Sequence, residues 1–469
     1  MASHFLYQQL ACDIEKQIKS GKLKVGERLP SVRSFATSSG SSTNTVVMAY
    51  TYLEEKGLIY SKEKFGFFVA RPTIVKTPNF AGGQKKVKDL SVVDEVQLTL
   101  DLLSAPGITN LSAAIPDPSL LPTKAIAKSI KKYAHHIDEY AHPQGAMPLR
   151  QALSKRLAPL WPQNIARSQD IVITNGALEA IYIALKTLTI PGDTIAIENP
   201  TYYMYFKVLK SLGLNVVQIN SHPTTGLCPD AFERALHSSK IKLLLCQPNF
   251  SNPTGALMPQ ENRHQIIELC ESHNVILVQD DINGELAYDG RKHKAFLNFT
   301  NKVDCVYISS FSKTFSPGVR LGHLISLNHT EAFKQTKSIL TVAAPMPFQL
   351  AMADYLTHAS PDRWLKKIRP ILARRFRDYS QFMASFFPQS TAYTCPHGGF
   401  VTWVELPKKF DSRIIFKKAL EQNLSISPGT IFSADQSFKN FIRINYAFAL
   451  EGKYLQAMKL FADIIKKSD

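Results

Sequence analysis

Between residues 6 and 18 the apolar positions fall at Leu6, Leu10, Ile14 and Ile18, a recurrence that keeps side chains on one helical face. The spacing predicts a first helix, closed near Gly21, which can take the left-handed conformation of a C-terminal cap. After the turn KVGERLP, Ser31 is placed to cap a second helix with Val32, Phe35 and Ala36 as apolar positions, ending near Gly40. Ser41 or Ser42 can cap a third, from Thr43 to Glu55, in which Val46, Tyr50 and Leu53 share a face and Gly57 closes it. Leu58, Ile59 and Tyr60, then Phe67, Phe68 and Val69, read as two short strands joined by the charged turn SKEKFG. Three helices and a two-stranded wing make a winged helix-turn-helix over residues 1–70.

The pattern then breaks. Pro72, Pro78, the AGG of 81–83 and the basic run KKVK carry no sustained period, so residues 71–107 read as an interdomain linker. Its VDEVQLTLDLL portion can form a helix that packs on the domain C-terminal to it. From about Asn110 the texture changes to buried-looking runs, IVIT, TIAIE, KLLLCQ, VILVQ, VYISS and HLISL, bounded by polar or glycine-rich residues. Parallel strands covered on both faces look like this. The stretches from Leu178 to Leu188 and from Glu261 to Ser272 are helix-compatible, so residues 108–469 are expected to form an α/β domain with a mostly parallel sheet. Beyond about Thr341 the sequence turns helical and then strand-mixed, which predicts a smaller C-terminal α+β lobe.

Composition narrows the class. With 469 residues, 45% hydrophobic and 20% charged, the chain has material for a large core and lacks the profile of a disordered or collagenous protein. Lys plus Arg number 55 against 38 Asp plus Glu, a formal charge of +17. That excess suits a polyanionic partner, although a solvated basic surface gives the same number. The six cysteines, Cys12, Cys228, Cys246, Cys270, Cys305 and Cys395, show no C-x-x-C pair and no histidine at ligand spacing, so neither a zinc site nor a disulfide framework is expected. Asp13 and Glu15 stand where a secretory signal needs an apolar run, and no stretch approaches the roughly 18 apolar residues of a membrane span. A cytoplasmic protein is expected.

A helix-turn-helix reads DNA by laying its second helix in the major groove, with basic and small polar side chains on phosphates and base edges. The candidate recognition helix is Thr43 to Glu55. The candidate contacts are Arg28, Ser31, Arg33, Ser42, Thr43, Asn44 and Thr45, with Lys62 and Lys64 in the wing. Through I-K-S-G-K-L-K-V-G-E-R-L-P-S-V-R, T-N-T-V-V-M-A-Y-T-Y-L-E-E-K-G-L-I-Y and G-F-F-V, this segment resembles the GntR family of bacterial regulators. Two positions depart. Thr43 stands where that family usually has an arginine, and Lys64, Phe65, Gly66 and Phe67 replace the wing's usual G-x-G-T.

The large domain holds residues whose chemistry converges on an aldehyde cofactor with a ring nitrogen and a phosphate. A covalent carrier needs an amine, and Lys313 lies in SSFSKTFSPGVRLG just after an apolar run. A ring nitrogen kept protonated needs a buried carboxylate facing it, and Asp280, at the end of VILVQ, is the candidate. Asn252 in SNPTG can donate to a ring oxygen, and Tyr202 in ENPTYYMY offers a stacking face. For the phosphate there are the amides of Gly176, Ala177 and Leu178 in TNGALEA together with Ser310, Ser312 and Arg320. Arg443, in FIRINYA, can hold a carboxylate in bidentate fashion.

In their order these motifs resemble the fold-type I, pyridoxal-phosphate-dependent aminotransferases. The resemblance implies that Lys313 forms the internal aldimine with pyridoxal 5'-phosphate, that Asp280 pairs with the pyridine nitrogen, that Asn252 touches the ring hydroxyl and that Tyr202 stacks. It also implies that Arg320 binds phosphate and Arg443 a substrate carboxylate. Many relatives place a tyrosine three residues after the ring aspartate; here it is Asn283, which is shorter and has no phenol to titrate. A GntR-like head joined to such a body resembles the MocR subfamily of transcriptional regulators. This implies a homodimer that binds promoter DNA and senses pyridoxal phosphate, or an amino acid or amine, through an aldimine. Two other readings stand beside it: an aminotransferase with a vestigial or localising head, and a DNA-binding protein whose body is a dimerisation scaffold.

Overall fold

The computed structural model describes residues 6–24, 26–55, 58–62, 66–69, 77–78, 85–87, 90–102, 105–160, 167–300 and 302–468. The chain divides into two compact units, residues 1–75 with 377–385 and residues 76–376 with 386–469.

In the first unit the helices run Leu6–Lys19, Val32–Ser39 and Thr43–Glu55, and the wing strands Ile59–Lys62 and Gly66–Val69 pair antiparallel. Of the face read in the first helix, Ile14 is buried, Leu10 and Ile18 pack partly buried against the same cluster and Leu6, at the helix start, is 54% exposed; Ala11, Val46, Tyr50 and Leu53 join Ile14 in that cluster with Leu29 and Val69. Ser31 accepts from Ser34 N at 3.1 Å, and Gly40 closes its helix at φ +62°. At the third helix Ser42, rather than Ser41, is the cap, accepting from Thr45 N at 3.0 Å. Gly57 and Lys64 lie outside the described residues. Residues 27–29 extend the wing, since Val69 N donates to Glu27 O and Leu29 N to Phe67 O, both at 2.8 Å.

The second unit is built on a nine-stranded sheet among the described residues. Its order is Lys85–Val87, Asn215–His222, Thr194–Asn199, Leu243–Cys246, Ile276–Asp280, Cys305–Ser310, Gly322–Ile325 and Ile171–Thr174, with Gly226–Leu227 paired beside Asn215–His222. The five strands from Asn215–His222 to Cys305–Ser310 are mutually parallel, and helices such as Ala177–Leu188 and Gln260–Ser272 accompany them; the runs HLISL and IVIT, read as parallel too, instead give Gly322–Ile325, which pairs antiparallel with both Cys305–Ser310 and Ile171–Thr174. Buried Val, Ile and Leu fill the strands because both faces are covered. The C-terminal part carries a four-stranded sheet of Ala392–Tyr393, Val401–Glu405, Phe441–Asn445 and Ser427–Pro428. No helix among the described residues is long and apolar enough to cross a membrane.

Of the stretch 71–107 read as a linker, Pro72 and the AGG of 81–83 lie outside the described residues, and the described parts are ordered against the second unit. Lys85–Val87 pairs antiparallel with Asn215–His222 and extends the sheet. Three residues are too few to show a period, and the order comes from pairing with a strand far along the chain. The expected helix in this stretch is Val93–Asp101, with Val92 and Val96 in the core.

Candidate functional site

The C-terminal ends of parallel strands are where an α/β sheet collects its loops and leaves a crevice. Here the ends of Leu243–Cys246, Ile276–Asp280 and Cys305–Ser310 border a cavity of about 230 Å³ lined by Gln247, Asp280 and Ser310. Lys313, Asn252, Tyr202, Ala177, Leu178, Asn283, Ser312 and Arg320 line the same cavity. Residues separated by well over a hundred positions thus meet in one place.

Asp280 closes its strand and is 3% exposed. Tyr205 Oη donates to Oδ2 at 2.6 Å, Gln247 Nε2 to Oδ2 at 2.8 Å, and Ile282 N to Oδ1 at 3.1 Å. Burial pushes this carboxyl above its ordinary range, and the three donors and Lys313 pull it back. Asp281, next in sequence, faces other partners: Asn249 Nδ2 at 2.6 Å and Tyr307 Oη at 2.8 Å.

Lys313 projects its amine into the cavity, where Nζ donates to Ala114 O. Burial, then the charge of Arg443, brings its pKa down to about 8, with Asp280 opposing and Arg320 adding to the fall. Arg443 is 1% exposed and sits between aromatic faces, 5.5 Å from the Tyr203 ring and 4.9 Å from Phe432. It donates from Nε to Ser112 O at 2.8 Å and from Nη1 to Asn252 Oδ1 at 2.8 Å.

At the other end the helix Ala177–Leu188 points its N-terminal amides at the cavity, the arrangement that binds anions. Gly176 caps it at φ +87°; a Cβ there would stand 2.8 Å from Arg320 Nη2. A Cβ on Gly322 would stand 2.6 Å from the Gly176 carbonyl carbon, so the two backbones touch because Gly322 has no side chain. The loop before the helix is anchored by half-buried Glu179, which accepts from Asn175 N at 2.6 Å and Lys337 Nζ at 2.8 Å.

All the residues singled out in the large domain therefore converge, ten in the cavity lining and two adjoining it, Gly176 against Arg320 and Arg443 against Asn252. Asn283 does so with a difference. Its Nδ2 donates to Phe250 O at 2.9 Å, tying a loop in which Phe250 has φ +54°, so part of its donor capacity serves the protein itself. Two residues escaped sequence reading. Gln247 links Asp280 to Asn252, since its Oε1 also accepts from Asn252 N at 2.9 Å. Tyr205 falls three residues after Tyr202 in the same tyrosine-rich run, and the two rings meet edge to face with centroids 5.5 Å apart.

In the first unit Arg28, Ser31, Arg33, Ser42, Thr43 and Asn44 are exposed and Thr45 half-buried. Ser31 and Ser42 accept the amides they cap, and Ser42 Oγ is also hydrogen-bonded to Thr45 Oγ1 at 2.8 Å. Arg28 crosses the wing, its Nε 3.6 Å from where a Gly66 Cβ would be.

The family model for aminotransferase class I and II matches residues 106–458, and that for bacterial regulatory proteins of the gntR family matches residues 6–69. The HTH-type transcriptional regulator YdcR of Escherichia coli (strain K12) is 33% identical over 470 residues, covering 98% of this chain and 99% of that protein. The chain belongs to the MocR subfamily of GntR-family transcriptional regulators. The aminotransferase likeness of the MocR body extends further. Aromatic-amino-acid aminotransferase 1 of Thermococcus litoralis is 27% identical over 386 residues, 80% of this chain and 91% of its own. The crystal structure of Pyrococcus horikoshii kynurenine aminotransferase, solved with PMP and kynurenine, superposes with a TM-score of 0.73 at 27% identity, covering 80% of this chain and 94% of that one. These matches indicate pyridoxal 5'-phosphate as the cofactor of the MocR body. The residues fit it: a half-buried amine of lowered pKa, a buried carboxylate, and a glycine-floored helix N-terminus beside an arginine.

Proposed function

We propose that this GntR-type regulator binds promoter DNA through its head as a homodimer and changes that binding when its body takes up pyridoxal phosphate and an amino compound. The observation that carries the reading is the placement of Lys313, Asp280, Arg320 and the N-terminus of Ala177–Leu188 around one cavity. Bound pyridoxal phosphate supplies an aldehyde that amines attack and a pyridine ring that draws electrons from the attached carbon. On this reading Lys313 is the attachment amine. Asp280, oriented by Tyr205 and Gln247, holds a proton on the ring nitrogen, and Tyr202 covers one ring face. Arg320, Ser310, Ser312 and the amides of 176–178 bind the phosphate, and Asn252 and Asn283 border the ring oxygen. An amino acid that takes the place of Lys313 finds its carboxylate partner in Arg443 and leaves the lysine amine free to accept a proton at Nζ.

Support for an amino-acid effector comes from relatives named for aromatic amino acids and solved with kynurenine. Support for a second copy comes from exposed apolar side chains, Ile137 at 83% and Tyr140 at 90%. The effector shifts DNA binding only by as much as it prefers one arrangement of the protein over another. A second reading, a working aminotransferase with a vestigial or localising head, is favoured by the completeness of the cavity. Sustained conversion of an amino acid and a keto acid, with no footprint on DNA, would select it. The attachment itself is tested by borohydride reduction of the cofactor-loaded full chain followed by peptide mapping. Label on Lys313 is expected, and label elsewhere overturns the assignment.

A further inference from the structure

The cavity has more wall than the cofactor's anchors use. Its charged lining side chains are Asp280, Lys313 and Arg320, and the proposed function employs each of them on the cofactor, as it employs Arg443 on an α-carboxylate. The remaining wall includes Leu100, Ile115, Ile181, Ile282, Phe400 and Val401, all apolar. Phe400 and Val401 are buried, at 3% and 4%, while Leu100 and Ile282 are partly buried against the core.

Leu100 stands out by its origin. It lies on the helix Val93–Asp101, ahead of residues 106–458 that match the aminotransferase model. That helix is firmly seated. Val92 and Val96 are fully buried, and Glu95 Oε2 accepts from Thr430 Oγ1 at 3.2 Å. Leu100 is therefore a fixed part of the wall, supplied by the stretch that comes after the head in sequence.

A charged side chain brought against this wall would lose water and meet no counter-charge among these lining residues, a cost that apolar contacts do not offset. An apolar side chain loses nothing of that kind and gains by covering the wall. We propose that the site takes an α-amino acid with an uncharged, apolar side chain, and that Leu100 is a specificity-determining residue for it. This rests on the reading in which Lys313 carries the cofactor and Arg443 the carboxylate.

The test uses the full-length, cofactor-loaded protein titrated with L-leucine, L-phenylalanine, L-aspartate and L-lysine, read by the absorbance of the bound cofactor and by calorimetry. L-Leucine and L-phenylalanine are expected to bind at least about tenfold more tightly than the two charged amino acids. Leu100→Arg, which supplies the missing cation, is expected to move the preference toward L-aspartate. Leu100→Ala, a gentler change, is expected to weaken L-leucine by about tenfold and L-alanine by less. L-Aspartate or L-lysine binding as tightly as L-leucine overturns the proposal. So does a Leu100→Ala variant that loses affinity equally for L-leucine and L-alanine. Borohydride mapping separates the two levels: with label on Lys313, tight L-aspartate binding removes only the side-chain class. Label elsewhere removes the site and this inference with it.

Discussion

A lysine in water keeps its proton until about pH 10, which would leave it a poor nucleophile toward an aldehyde at neutral pH. Lys313, half-buried and facing the charge of Arg443, has its pKa brought down to about 8 by desolvation and that charge, so the neutral amine grows as pH rises through 8 rather than through 10.5. The rate at which the apoprotein takes up pyridoxal phosphate is therefore expected to climb with a midpoint near pH 8; a midpoint near 10.5 would show that the cavity does not perturb this amine. Gln247 makes a second residue-scale prediction, because it holds Asp280 with its amide nitrogen and Asn252 with its oxygen. Gln247→Leu should change the pH dependence of the cofactor's absorbance and weaken amino-acid binding together, whereas Gln247→Glu restores only the acceptor to Asn252. A Gln247→Leu protein with the spectrum and affinity of the parent would dismiss the link. These two residues also mark what was legible in sequence. Lys313 announces itself by its serine, proline and glycine neighbours, but Gln247 looks like the polar end of a buried strand, and its two partners are 5 and 33 residues further along.

Among elements, the cradle formed by Gly176, the start of Ala177–Leu188 and the strand Gly322–Ile325 depends on backbones meeting without side chains. Gly322→Ala places a methyl 2.6 Å from backbone that cannot turn aside. It should cost about 1–3 kcal/mol of stability and a larger share of cofactor affinity, measured by denaturant melts of apo and loaded protein. Equal stability and equal affinity would mean the contact is not made. The helices of the first unit were legible because caps and periods are local: Ser31, Gly40 and the buried Val46, Tyr50 and Leu53 sit where the pattern puts them. The parallel strands were legible as apolar runs, except for Asn215–His222, whose alternating polar residues and final histidine hide it. The strand Lys85–Val87 was not legible because its pairing partner, not its own composition, orders it.

For the molecule as a whole, the charge of +17 acts on DNA through released counterions, and each phosphate contact adds about one to the salt dependence of binding. Arg33→Ala, at an exposed position of the second helix, should lower the slope of log affinity against log salt by about 1 while leaving the cofactor's absorbance unaltered. An unaltered slope would place Arg33 off the DNA. Two units on one chain make a regulator only if occupancy of one is felt by the other, and that coupling is the heart of the account. It is tested most directly by the affinity of the full-length protein for its promoter DNA, loaded with pyridoxal phosphate, with and without L-leucine, for the parent and for Lys313→Ala. The account predicts a change of about fivefold or more in the parent and none in Lys313→Ala; the same change in both proteins, or no change in either, would contradict it.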